Sequence, residues 1–258
     1  MSTSSHRRRR RRRSGRAVLY RTVGFFLVLI IATLGVSVFL RIMEIEVTGA
    51  SRYSEEEVIA ASGISVGDNM LFMDRETIIR KIRSVKPYIN DVKIELAPPA
   101  GIRIIIKESK AVAVLKNQGG YLVVDPAGRV LSNTTAVPDG LIEIRGFTPS
   151  EAVVGSKLRA EEGGETQLRN LTEILTALEK AEIEGKVSYL DVTNIAYPTF
   201  EYSGLYTVLL GSTSNVDHKL EQLISAIIPD VLNREGSVPY IINMSDPTGK
   251  WTGRVDNR

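Results

Sequence analysis

The 258-residue chain contains no cysteine, a single tryptophan and two histidines, His6 and His218. Without cysteine there can be no disulfide, no thiol nucleophile and no cysteine-ligated zinc or iron–sulfur centre. The same absence fits a domain exported to an oxidising space, where stray thiols are a liability. His218 has no second His or Cys nearby to build a metal site or a triad with, and it reads as a solvated residue at a helix start. The hydrolase signatures G-x-S-x-G, S-x-x-K and H-E-x-x-H do not occur, so a membrane-anchored cell-wall hydrolase has no visible nucleophile or base. Acidic residues are missing from the first 41 positions, which hold ten arginines (Arg7, Arg8, Arg9, Arg10, Arg11, Arg12, Arg13, Arg16, Arg21 and Arg41). The rest of the chain carries 23 Lys and Arg against 30 Asp and Glu, a net charge of −7. The pI near 9.0 therefore belongs to the tail. The remainder lacks the positive surface that phosphate neutralisation requires, and no nucleic-acid partner is expected for it.

What the sequence does have begins with an uncharged apolar run. Thr22–Leu40 would span roughly 28 Å as a helix, close to bilayer thickness, and no small-x-small cleavage site follows it. The expectation is a single N-terminal transmembrane helix (22–40) behind a basic cytoplasmic tail (1–21). Arg7 to Arg13, Arg16 and Arg21 would hold the N-terminus in the cytoplasm and leave the C-terminus outside. The arginine block can also attract anionic lipid or nucleic acid, but a topology signal is the simpler reading.

Folding signals start two residues after that run. Met43, Ile45 and Val47 alternate with polar residues up to Gly49, as in a half-buried strand. Ser54 and Glu57 form a capping box, Tyr53 and Val58 have hydrophobic-staple spacing, and Gly63 closes the helix. Glu55–Glu57 could be mistaken for a metal or acid–base cluster. Successive helical positions point about 100° apart, so their carboxylates do not converge, and they read as helix capping. Asp74 caps a second helix that must end near Pro87. Residues 92–96 and 102–108 alternate as strands around "APPAG". The order β-α-α-β-β predicts a three-stranded sheet covered on one face by two helices.

Beyond residue 108, "AVAVLKN", "GGYLVVDPAGRVL" and 141–146 read as short strands separated by turns. Asp125 in "VVDPAGRV" is first of all a turn residue, since proline fixes φ and glycine accepts positive φ. Residues 165–184 have helical periodicity, strands recur at 187–192, 199–203 and 205–211, and a further helix starts near Asp217. The strand at 238–246 is the last one expected, with a flexible tail over 247–258. A terminal strand is usually a sheet edge, with unpaired N–H and C=O groups open to a partner strand. Tyr240, Ile241, Ile242, Asn243, Met244, Ser245 and the nearby Trp251 are accordingly the candidate partner-binding residues. Pro239 and Pro247 could instead blunt that edge.

The segments "IEVTGASRYSEEEVIAASGISVGDNMLFMD" and "KPYINDVKIELAPPAGIRIIIKESKAVAV" resemble the POTRA module of the FtsQ/DivIB division proteins. "YLVVDPAGRVL" and the "LG…KL" pairing at 210–220 are similar to that family's second, β domain. The resemblance implies a POTRA domain at 41–108 and a mixed α/β domain at 109–246 with a mostly antiparallel sheet. It implies a non-enzymatic scaffold at the division septum, without cofactor or metal. Its partners would be FtsL and FtsB/DivIC-like coiled-coil proteins and septal cell-wall synthases, and the docking place would be the C-terminal edge. An outer-membrane assembly or secretion factor would need repeated modules or barrel strands, which about 150 mixed residues do not supply.

Overall fold

The computed structural model describes residues 15–246 and 248–256, the side chains of residues 15–18, 33, 34, 36–39 and 71 excepted. Helix α1 (Gly15–Phe39) precedes two packed modules. The expected transmembrane helix is not supported: among the described residues, no helix is long and apolar enough to cross a membrane. The topology reading of the arginines loses its basis with the span. Arg7 to Arg13 and the Arg16 side chain lie outside the described residues, and Arg21 is exposed.

The first module is built as its local signals dictate. Strand β1 (Glu44–Thr48) leads to α2 (Glu55–Ser62), α3 (Arg75–Val85), β2 (Ile89–Ala97) and β3 (Gly101–Glu108). Ser54 Oγ accepts from the Glu57 N–H at 3.2 Å while the Glu57 carboxylate accepts from the Ser54 N–H at 3.1 Å, closing the capping box. Gly63 ends α2 at φ 70°, and Asp74 caps α3 by accepting from Thr77 N–H. The sheet order is β1-β3-β2, with β1 parallel to β3 because the two helices carry the chain across between them. Ile102, Ile104 and Ile106 meet Val58, Ile78 and Ile82 in a closed core.

The second module is a nine-stranded mixed sheet in the order β14-β13-β12-β11-β10-β7-β4-β5-β6. In chain order its strands are β4 (Ala113–Asn117), β5 (Gly120–Val124), β6 (Val130–Thr134), β7 (Ile142–Arg145), β10 (Val187–Asp191), β11 (Thr199–Tyr202), β12 (Tyr206–Leu209), β13 (Tyr240–Asn243) and β14 (Thr252–Val255). A small hairpin, β8 (Pro149–Glu151) and β9 (Arg159–Ala160), lies to one side. Helices α4 (Glu165–Lys180), α5 (Val216–Gln222) and α6 (Ile228–Glu235) bury Leu171, Ile174, Leu175, Leu220 and Val231 with Leu115, Phe200, Val208 and Ile242 of the sheet. A π-helical turn, Leu223–Ile227, joins the last two helices. Helix α4 stops at Lys180, short of the periodic pattern's end, because Glu182 takes a left-handed φ of 56° before Ile183 enters the core.

Two sequence expectations about the chain's end need correction. Residues 252–255 are not part of an unstructured tail but form β14, and β13 is therefore not the edge of the sheet.

Candidate partner-binding edge

Strand β13 is held from both sides. It runs parallel to β12, with Tyr206 opposite Tyr240 and Leu209 opposite Asn243, and antiparallel to β14, with Tyr240 opposite Val255 and Asn243 opposite Thr252. The candidate residues on it are accordingly architecture. Ile242 and Met244 belong to the core, and Tyr240, Ile241, Asn243 and Ser245 are half-buried. Trp251 is also half-buried and packs against the core, so it is not a free anchor.

The "LG…KL" pairing acquires a physical meaning at the far end of β13. Gly211 has φ 68°, and a Cβ there would stand 2.6 Å from Ser245 Cα. Only glycine lets the two chains cross so closely. Lys219 then donates from Nζ to the Leu210 and Ser212 carbonyls, both at 2.8 Å, tying the glycine corner to α5. Burial pushes that ammonium below its ordinary value.

A tight turn next reverses the chain. The Asp246 carboxylate accepts from the Thr248 N–H at 2.8 Å and its hydroxyl at 2.6 Å, and Gly249, at φ 80°, donates its N–H to the Asp246 carbonyl at 3.1 Å. The Thr248 hydroxyl and amide hold the Asp246 carboxyl below the usual carboxylate range. The segment reads D-P-T-G, the same motif as D-P-A-G at 125–128, which the sequence had already marked as a hairpin turn. The signal for a fourteenth strand was therefore present.

Strand β14 is locked in register by a glycine. A Cβ on Gly253 would sit 2.3 Å from the Tyr240 ring and 2.9 Å from the Ile241 carbonyl oxygen, so the ring packs against the bare backbone. Among the described residues, no strand pairs with the outer side of β14. Asp256 N–H donates to the Pro239 carbonyl at 2.8 Å, which sets the antiparallel phase. Thr252 and Arg254 thus face β13, and the peptide groups of Gly253 and Val255 point away from the sheet. All four β14 residues are exposed. Such an edge accepts an extended segment through main-chain hydrogen bonds.

Comparison with known proteins agrees with this architecture. Residues 40–109 match the family model described as "POTRA domain, FtsQ-type". The chain is 26% identical over 211 residues to the cell division protein DivIB of Clostridium botulinum (strain Hall), an alignment covering 81% of each chain. The chain is thus similar to the FtsQ/DivIB division proteins, through its FtsQ-type POTRA domain and along most of its length. Over 123 residues it is 30% identical to the cell division protein FtsQ of Corynebacterium glutamicum, covering 46% of this chain and 54% of that one. FtsQ of Geobacter sp. (strain M21) is 29% identical over 160 residues, 61% of this chain and 54% of its own. This likeness to named cell division proteins supports a role in cell division. Among the described residues, no three His, Asp or Glu side chains gather to hold a metal ion.

Proposed function

We propose that the chain is a non-catalytic scaffold of the division machinery that binds its partners by strand addition to β14. The supporting observation is the outward row of Gly253 and Val255 peptide groups on an exposed strand whose other side is fully paired. Those peptide groups offer donors and acceptors only to an extended backbone. Side-chain specificity comes from the exposed Thr252, Arg254 and Val255. The partners on this reading are FtsL and FtsB/DivIC-like coiled-coil proteins, linked through this chain to the septal cell-wall synthases, and the place of action is the division septum. The relatives' shared designation as cell division proteins favours these partners over unrelated ones.

Gly253→Val in the full chain is the direct test. The added side chain collides with the Tyr240 ring and must push β14 out of register. Co-purification with FtsL and FtsB/DivIC-like proteins should be lost while the two cores still unfold cooperatively. Undiminished capture by this variant would sink the β14 assignment. Normal septation after depletion of the protein would sink the division role itself.

A further inference from the structure

The connection between the two modules is unusually constrained. Ser109 donates its N–H to the Tyr88 carbonyl at 2.7 Å and its hydroxyl to the Asp125 carboxylate at 2.9 Å. Lys110 pairs with the buried Glu184 carboxylate, and Ala111 packs in an apolar cluster. Val112 exchanges backbone bonds with Val124 and Ile142. Every residue of the four-residue connection is thus tied to one module or the other. Tyr88 of the POTRA domain also lies in an apolar cluster with Val114, Val123 and Leu131 of the sheet's second face, and its hydroxyl is 3.0 Å from Ser132 Oγ.

Arg129 closes this joint in an unusual way. It is 7% exposed, yet among the described residues no carboxylate forms an ion pair with its guanidinium. Buried arginines are normally matched by an anion. Here Nη2 donates instead to the Arg83 carbonyl at 3.1 Å, in the last turn of α3. That carbonyl is one of the unsatisfied groups at a helix carboxyl end, where the backbone carries partial negative charge. Gly155, at φ 89°, brings its loop to the same carbonyl, and that loop bonds both backbone groups of Val130. Arg129 Nε is buried with no partner. Burial and the neighbouring Arg83 charge both depress the guanidinium, and only the Asp125 charge opposes them.

We propose that Arg129 is an interdomain latch: it caps the carboxyl end of α3, makes the POTRA domain and the sheet domain one rigid body, and is the releasable element of the joint. A neutral carbonyl holds less firmly than a carboxylate would, and one guanidinium donor is left unmatched. The remaining contacts, Tyr88 and the four-residue connection, then serve as the hinge. Through this latch the orientation of the POTRA domain relative to the distant β14 edge has two settings, latched and free.

The lack of native cysteines makes the test clean. Nitroxide labels on Glu76→Cys in α3 and Thr166→Cys in α4, both exposed positions, report the interdomain distance in the full chain by double electron–electron resonance. The parent gives one narrow distribution. Arg129→Met, which keeps the stem but not the donors, should give one at least about twofold wider, with Arg129→Lys in between. A narrow distribution in Arg129→Met, or a broad one in the parent, overturns the latch. Hydrogen exchange on the unsubstituted chain is an independent reading that does not depend on any variant folding. The Lys86 and Val130 amides should open in one common event, well before those of Ile104 and Phe200. Protection equal to the two cores would refute a releasable joint.

Discussion

The two D-P-x-G turns of this chain have the same local sequence and opposite circumstances. Asp125-Pro126-Ala127-Gly128 joins β5 to β6 at the end of the sheet that meets the POTRA domain, and its carboxylate is buried, 3% exposed. Asp246-Pro247-Thr248-Gly249 leads from β13 to β14 at the opposite end, and its carboxylate faces solvent. In each, the glycine N–H bonds the aspartate carbonyl, at 3.0 and 3.1 Å. Local chemistry makes the same reversal twice. The surroundings turn one into an interdomain fastening and the other into the support of an open edge.

The largest effect that would break this comparison comes from making one substitution in both turns. Asp125→Ala strips the half-buried Ser109 hydroxyl and the buried Arg129 N–H of their acceptor and should cost about 2–4 kcal/mol in urea denaturation, because donors left unmatched away from water carry the desolvation penalty. Asp246→Ala should cost much less, since water replaces the lost acceptor. Equal costs would mean that burial does not distinguish the two ends.

Gly253→Val should come next. It should abolish partner capture, yet lower stability by no more than about 1–2 kcal/mol, because β14 contributes only exposed side chains. A much larger loss would make β14 part of the folding unit rather than an appended strand.

The turn glycines sharpen the comparison further. Both have positive φ, so alanine at either position should cost about 1 kcal/mol from backbone strain. At Gly128 the new Cβ also meets Thr172 Cγ2 at 3.1 Å, whereas at Gly249 nothing lies within 4 Å. Thermal unfolding should therefore rank Gly128→Ala below Gly249→Ala.

The smallest effect is one of pH. The Asp246 carboxyl is held below its ordinary value by Thr248, so its contribution is complete above the unfolded carboxylate value near about 3.9 and is lost as pH falls through the lower folded value. Amide exchange of Thr252 and Arg254 should quicken over that acid range in the parent and be pH-independent, beyond intrinsic exchange, in Asp246→Ala. An unchanged profile in the variant would remove Thr248 as the cause.

How much of this was legible follows from how far each interaction reaches along the chain. The capping box at Ser54 and Glu57, the Gly63 closure and the period-2 isoleucines of β3 rest on neighbours three or fewer residues away, and they stand as the sequence implied. Strand β14 was missed because Thr252–Val255 shows no alternation and carries a glycine, a weak strand former. Its signal lay in the repeated D-P-x-G turn and in Tyr240, whose ring covers that glycine. The Arg129 latch was beyond sequence reasoning, since it spans 46 residues and its acceptor is a backbone carbonyl with no side-chain signature.

By itself, then, the sequence determined the POTRA order, both D-P-x-G reversals and the strand-rich character of residues 109–246, because these depend on φ preferences, caps and hydrophobic period. Only the tertiary structure decided which strand is the edge, which aspartate is buried and where the buried Arg129 guanidinium finds its acceptor. Those outcomes depend on which distant surface arrives to exclude water, and neither periodicity nor propensity carries that information.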